Sequence, residues 1–446
     1  VAADYLVSFW VNGVSKDFDA RAHRRLVNAW QPEHYPAVDV FLPICGEPVD
    51  VLRNTWTYVT KLQEHYQGTV RAYVLDDGAN PDAEALAREM GFFYGTRPDR
   101  GHFKKAGNLN YGLGFADGKY VLILDADFAP RHDILDEVVP HMENDPRIGI
   151  LQTPQYFHVL DWQNWVERGA GAVQELFYRY VQVSRNTRDG AICVGSCAVY
   201  RREALDENGG ISMVDHTEDV FTGFDLGRHG WSLRYIPVAL STGLCPDTVS
   251  AFYSQQYRWC YGSIQMMVDK KFWSANLRPI TRLCYISGYL YYIQTALFVF
   301  VAPLIPIMLL VIAPETIDID SVWWVLPSLI YAALVYPVWH RNPYRLEAYG
   351  VQLIYSWSHV FAIWDCIRGR QMGWKPTGGN GAAKDKNRRL LLGVWIWSAG
   401  GTAVWLALAL WRMIESDPVN YGFVLGAGLF YALSVARVLV TPRVTA

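Results

Sequence analysis

An α/β domain with a mostly parallel sheet, followed by a helical membrane region, is the fold class this sequence predicts. Three observations predict it. Short apolar runs alternate with helical stretches four times before residue 145. Two of these runs stop abruptly at acids: residues 70–75 run into Asp76-Asp77-Gly78, and residues 120–124 run into Asp125-Ala126-Asp127. From about residue 283 the character changes to apolar runs long enough to cross a hydrocarbon core of about 30 Å.

Bulk composition agrees with a two-part chain. Its 446 residues carry 40 Lys and Arg against 43 Asp and Glu, a formal net charge of -3, and nothing in that balance suggests a nucleic-acid partner. Although 51% of the residues are hydrophobic and 18 are Trp, mean hydropathy is close to zero, so apolar residues must be divided unevenly between soluble and membrane parts. The seven cysteines contain no Cys-x-x-Cys pair and read as free thiols in a reducing compartment; Cys193 and Cys197 are the only two close enough to question. The chain begins Val-Ala-Ala, and residues 5–11 read as the tail of an apolar helix, so further membrane sequence is expected before residue 1.

Residues 1–30 thus read as the end of a membrane helix and an interface segment, residues 31–265 as a cytoplasmic domain, and residues 266–446 as a membrane domain. Within the second region, strands at 38–43, 70–75, 91–94 and 120–124 are each followed by a helix, at 50–64, from Pro81, at 105–116 and at 131–143. This alternation puts both acidic clusters on the C-terminal edge of a parallel sheet, where open α/β folds bind ligands. A strand at 148–153 precedes an amphipathic helix over 162–184. Beyond it lie a strand ending at Tyr200, a helix opened by Thr217-Glu218-Asp219, a strand at 233–237, and a helix over 248–261 carrying Gln255-Gln256-Tyr257-Arg258-Trp259.

Four membrane-crossing helices are expected, at 283–313, 322–339, 390–411 and 421–440. The connections at 314–320 and 414–417 are acidic, those at 340–345 and 384–389 basic, and the positive-inside rule then places the soluble domain in the cytoplasm. The apolar stretch 351–367 contains Gln352, Ser356, Ser358, His359 and Asp365. If it crossed the membrane the basic cluster would land outside, so it reads as an interface helix with Trp357 and Trp364 at headgroup depth. The loop 369–387 after it is glycine-rich and cytoplasmic.

Acids at i and i+2 on a strand-end turn can converge on one divalent cation, which can neutralise a diphosphate. Taken in order, Asp76-Asp77-Gly78, Asp125-x-Asp127, Thr217-Glu218-Asp219 and Gln255-x-x-Arg258-Trp259 resemble the processive family-2 glycosyltransferases of the cellulose synthase group. Lys105-Ala-Gly-Asn-Leu-Asn110 and the stretch from Gly195 to Asp206 are also similar to that family's intervening segments. The resemblance implies a GT-A-type, Rossmann-like domain that holds a UDP-sugar donor. It places the uridine at Asp76 and Asp77, and the sugar diphosphate at Asp125, Lys105, Gln255 and Arg258. A Mg2+ or Mn2+ ion is implied at Asp127 and Asp125. Asp219 becomes the base that deprotonates the acceptor hydroxyl in an inverting attack, while Trp259, Glu218 and Cys197 lie at the growing polysaccharide; the bare residues read Cys197 as a packing thiol.

Two departures from the family pattern stand out. The segment Pro43-Ile-Cys-Gly-Glu47 has Cys45 where the family has a uracil-side aromatic, although Glu47 is kept. The family's gating loop is Phe-x-Val-Thr-x-Lys; this chain has Trp374-Lys-Pro-Thr377, with the aromatic and threonine at matching spacing and the lysine displaced. The resemblance favours a UDP-glucose-dependent, membrane-embedded glucan synthase in the inner or plasma membrane, in contact with the lipid bilayer and open to accessory subunits. Chitin, hyaluronan or mixed-linkage glucan synthesis, and a non-catalytic polysaccharide pore or scaffold, are the other readings. Tyr285, Tyr289, Tyr291, Tyr292, Trp323, Trp324, Trp395 and Trp397 could line a polymer path or form a lipid-facing belt.

Overall fold

A computed structural model describes residue 11 and residues 18–330, 347–370 and 383–441. Its centre is a seven-stranded sheet of order β3-β2-β1-β4-β8-β6-β9. The strands are β1 (Val38–Ile44), β2 (Val70–Asp76), β3 (Phe93–Gly95), β4 (Tyr120–Ile123), β6 (Ile148–Gln152), β8 (Ala198–Arg201) and β9 (Ser232–Tyr235). β1 runs parallel to β2 and β4, β2 to β3, and β6 to β9; β8 alone is antiparallel, wedged between β4 and β6.

Every residue of β1 is buried, as expected of a central strand covered on both faces by helices. That burial includes Asp39, whose carboxylate accepts from Arg71 Nε (2.8 Å) and the Gly118 N–H (2.6 Å). The register sets Ile44 beside Asp76 and Phe41 beside Ile123, so β2 and β4 deliver their terminal acids to the same edge on either side of β1. The expected helices at 50–64, 105–116 and 131–143 appear as Val49–His65, Lys104–Leu113 and Ile134–Asn144.

Three features differ from the sequence expectation. A second sheet of order β5-β10-β7, formed by Ala129–Pro130, Ser241–Gly243 and Tyr156–Phe157, flanks the Asp127 turn; strands this short leave no periodic signal. The helix expected over 162–184 is a Trp165–Leu176 helix with a complete capping box at Asn164 and Glu167, then a π-helical turn at Phe177–Val181 and a short helix Gln182–Asn186. The helix carrying Arg258 runs on to Val268, well past residue 261.

Among the described residues three helices are long and apolar enough to cross a membrane: Pro279–Ile312, Arg388–Glu415 and Pro418–Val440. The expected span 322–339 lies partly outside the described residues, its first half forming a Val322–Ile330 helix. Residues 351–367 lie on a Glu347–Ile367 helix whose polar side chains bond to neighbouring helices. Ser358 Oγ donates to Tyr253 O (2.8 Å), His359 Nδ1 meets Thr295 Oγ1 (2.7 Å), and Asp365 accepts both terminal nitrogens of Arg389 (2.8 and 3.0 Å). Trp357, expected at headgroup depth, is buried with its Nε1 donating to Ser398 Oγ (3.1 Å); Trp364 is half-exposed. Tyr285 and Tyr289 are likewise buried against Phe224 and Phe272, whereas Trp323 and Trp395 are 70% and 61% exposed, as on a lipid-facing surface.

Candidate active site

The turn after β2 is built by Asp76 itself. Its fully buried carboxylate accepts from the Gly78 N–H (2.6 Å), the Asn80 N–H (2.8 Å) and Tyr94 Oη (2.8 Å), leaving it bound within the turn. Asp77 is taken by an arginine that the motif reading missed. Arg97 donates through Nε and Nη2 to both Asp77 oxygens (2.6 Å each), the two-pronged geometry that guanidinium and carboxylate favour. The same guanidinium reaches His102 O (2.7 Å) and Lys104 O (3.0 Å). Arg97 therefore ties the Asp77 turn to the segment that launches Lys105. In that segment Phe103 and Lys104 both hold positive φ (49° and 46°), a conformation costly for side-chain-bearing residues and kept only where surrounding contacts impose it.

Lys105 then points into the second acidic cluster. Its ammonium donates to Asp125 Oδ1 and to Gly195 O (2.8 Å) and lies 4.0 Å from Glu218. Burial works against this charge, but Asp125 and Glu218 outweigh it and raise its pKa. Asp127 lies on the other side of the turn. Burial first, then the Asp125 charge, push its carboxyl up to about 7. Glu47 is raised too, by burial with Asp125 among the contributing charges, while its Oε2 accepts the Cys45 N–H (2.6 Å). Oxygen donors held at such a cost suit a hard cation: an acid cluster this crowded gains from one more positive charge. Among the described residues no group of three or more His, Cys, Asp and Glu could hold a metal ion.

The Glu218–Arg228 helix brings the remaining acids to this edge. Thr217 precedes it at φ 55°, pinned by the neighbouring helix, where a Cβ on Gly262 would stand 1.9 Å from Thr217 Oγ1. Asp219 abuts Gly195, which has φ +75° and where an added Cβ would come 2.8 Å from Asp219 Oδ2; only glycine fits that approach. Burial raises the pKa of Asp219, and the adjacent Glu218 raises it further against the pull of Lys105. On the Val249–Val268 helix, Gln255 and Arg258 share a face at i and i+3. The Arg258 guanidinium makes no ion pair among the described residues; burial lowers its pKa against Glu218 and Asp125. Gln255 Oε1 is buried without a partner. Trp259 is half-buried next to Arg258.

The structure thus gathers Lys105, Asp125, Glu218 and Arg258 into one electrostatic cluster, with Asp127 and Asp219 at its margins. Cys197 is buried behind this cluster, 1% exposed, its thiol accepting from Ser241 Oγ (2.6 Å) and within reach of the Asp125 and Asp127 charges. All seven cysteines are free. Lys104 is half-buried with Nζ 3.5 Å from His216 Nε2. Trp374 and Thr377 lie outside the described residues.

This sheet edge gathers strand-end acids with half-buried cations, and residues 120–337, which supply most of it, match the family model described as Glycosyl transferase family group 2. The chain is similar to Cellulose synthase 1 of Komagataeibacter xylinus, 35% identical over 261 residues, covering 58% of this chain and 17% of that protein. It is also similar to the cellulose synthase catalytic subunit (UDP-forming) of Pseudomonas fluorescens (strain SBW25), at 31% identity over 312 residues, covering 68% and 42%. Against these relatives the chain spans less than half of their length. Among solved structures, the mannosyltransferase PcManGT from Pyrobaculum calidifontis, in complex with GDP-Man and Mn2+, aligns with TM-score 0.48 at 14% identity, covering 99% of this chain and 97% of that one. With its membrane-crossing helices, the chain is that of a membrane protein.

Proposed function

We propose that the protein is an inverting, UDP-forming glycosyltransferase that polymerises a β-linked, cellulose-like glucan from UDP-glucose and passes the chain through its own membrane helices. The observation that carries this reading is the cluster of Lys105, Asp125, Glu218 and Arg258 beside a buried Asp219, in a chain whose relatives are named cellulose synthase (UDP-forming). Asp77, fixed by Arg97, holds the uridine side. Lys105, Arg258 and Gln255 face the diphosphate, where a guanidinium with no ion pair and an unpaired amide oxygen stand ready. Asp125 and Asp127 are the pair that would hold Mg2+ or Mn2+, and such an ion, when bound, neutralises charge growing on departing UDP.

Asp219 acts as general base. Its raised pKa makes it a competent acceptor for the proton of the acceptor hydroxyl as that oxygen attacks the anomeric carbon. Trp259 offers an aromatic face to the terminal sugar at the membrane side of the domain. The catalytic domain faces the cytoplasm, and the chain crosses the membrane more than once.

The test uses the full chain in lipid with radiolabelled UDP-glucose and Mg2+ or Mn2+, followed by digestion with linkage-specific glycosidases. Wild type is expected to release UDP and yield a glucan. Asp219→Asn should lower transfer by roughly 10²–10⁴-fold, the usual worth of a general base, while UDP-glucose binding stays within about twofold. Since only the ionised carboxylate accepts a proton, wild-type activity must fall as pH drops through the Asp219 pKa, at higher pH than an ordinary aspartate would give. No UDP release from any UDP-sugar would overturn the enzyme reading; unchanged turnover in Asp219→Asn would overturn the base.

A further inference from the structure

The Val249–Val268 helix joins the first membrane-crossing helix, Pro279–Ile312, through a turn of helix at Lys270–Ser274. This turn has two unlike sides. Phe272 is fully buried, its ring 5.8 Å from Phe224, 5.8 Å from Tyr285 and 5.4 Å from Tyr289, so the turn is rooted in both the catalytic domain and the span. On the other side Lys270 and Lys271 are exposed beside Trp273 and Val268, which are 51% and 63% exposed.

The exposed side is not surplus surface. Trp273 Nε1 donates to Met267 O (2.7 Å), so the indole's one polar group is satisfied internally and its outer face is hydrocarbon. Nearby arginines are committed: Arg278 pairs with Asp189, and Arg282 Nη2 donates to Ala275 O (2.6 Å). Lys270 and Lys271, by contrast, form no ion pair among the described residues. Only a few residues separate this turn from Pro279, where a helix long and apolar enough to cross a membrane starts. The segment's one acid, Asp269, is half-buried and its Oδ1 accepts the Lys271 N–H (2.8 Å), so a free apolar indole, an exposed valine and two uncommitted ammonium groups beside the start of a candidate span complement one surface, an anionic leaflet.

We infer that residues 268–273 form a binding surface for anionic phospholipid headgroups, separate from the nucleotide-sugar site and independent of its reaction. Trp273 and Val268 enter the boundary between headgroups and acyl chains. Lys270 and Lys271 pair with the headgroup charge. The turn then fixes the depth at which the helix bearing Arg258 and Trp259 meets the membrane.

The experiment exchanges the full chain into mixed micelles of neutral phosphatidylcholine with graded phosphatidylglycerol and counts retained lipid by native mass spectrometry. Wild type is expected to retain phosphatidylglycerol over phosphatidylcholine. At about fivefold per lysine, the double variant Lys270→Gln/Lys271→Gln should lose roughly 25-fold in that preference. Lys270→Arg/Lys271→Arg should keep it, and Trp273→Ser should weaken retention of both lipids alike. Equal retention of the two lipids by wild type, or an unchanged preference in the glutamine variant, would overturn the inference. Because no turnover is read, this result is independent of whether the protein makes glucan.

Discussion

Two acidic strand ends stand on either side of β1, and their carboxylates meet different fates. At the end of β2, Asp76 accepts three hydrogen bonds from its own turn and Tyr94, and Asp77 shares both oxygens with Arg97. At the end of β4, Asp125 has the Lys105 ammonium, while Asp127 is pushed up to about 7 by burial and by its acidic neighbours. The β2 turn is electrostatically closed and the β4 turn is short of positive charge. A closed turn holds shape; a turn short of cations holds a place for one. Paired acids at a strand end thus supply a frame in one case and, in the proposed reaction, a metal-holding edge in the other.

The largest expected effect follows from that asymmetry. Replacing Asp125 or Asp127 with Asn should lower transferase turnover by at least about 10³-fold, roughly 4 kcal/mol of transition-state stabilisation, with the thermal unfolding of the protein retained. UDP release under saturating UDP-glucose measures the first quantity and a melting curve the second. Turnover within tenfold of wild type in both variants would show the two turns to be equivalent frames.

The β2 turn should respond in the opposite way. Asp76→Ala strands the Gly78 and Asn80 amides and the Tyr94 hydroxyl, costing roughly 3 kcal/mol of stability, or a fall in Tm of roughly 6–12 °C for a domain of about 200 residues. Arg97→Ala leaves Asp77 buried and unpaired and belongs to the same class of damage. If Asp76→Ala melted like wild type yet lost donor binding, Asp76 would serve the donor by contact and not through the turn it holds.

This contrast marks where the sequence is readable. An apolar run that stops at an acid announces a strand end, so β1, β2, β4 and their edge could be placed from the chain alone, as could the helices between them. The state of each acid could not be, because it depends on partners distant in sequence: Arg97 for Asp77, twenty residues on, and Gly195, near Asp219 only through the fold. A helical residue's side also defeats local reading. Ser356, Ser358 and His359 look like interface polarity in sequence, but their burial follows from the helices packed around Glu347–Ile367. Cys197 shows the same limit: its φ of 56° and its burial beside Ser241 could not be read from the motif it sits in.

The smallest effect tests the charge shortage of the β4 turn directly, without catalysis. The Asp127 carboxyl has a folded pKa near 7 against an ordinary value of 3.8, so the fold prefers its protonated form. Its contribution to stability is therefore full below about pH 4 and is lost as pH rises through 7. Asn mimics the neutral acid at every pH. In chelator-treated buffer Asp127→Asn should leave Tm unchanged near pH 4 and raise it at pH 8, by roughly 1 kcal/mol once solvent screening of this half-buried group is allowed for. Added Mn2+ should then stabilise wild type and leave the variant where it was, since the variant lacks the charge the cation would answer. Parallel melting of the two proteins from pH 4 to 8 would mean that Asp127 is ionised at no cost, and the distinction between the two turns would rest on hydrogen bonding alone.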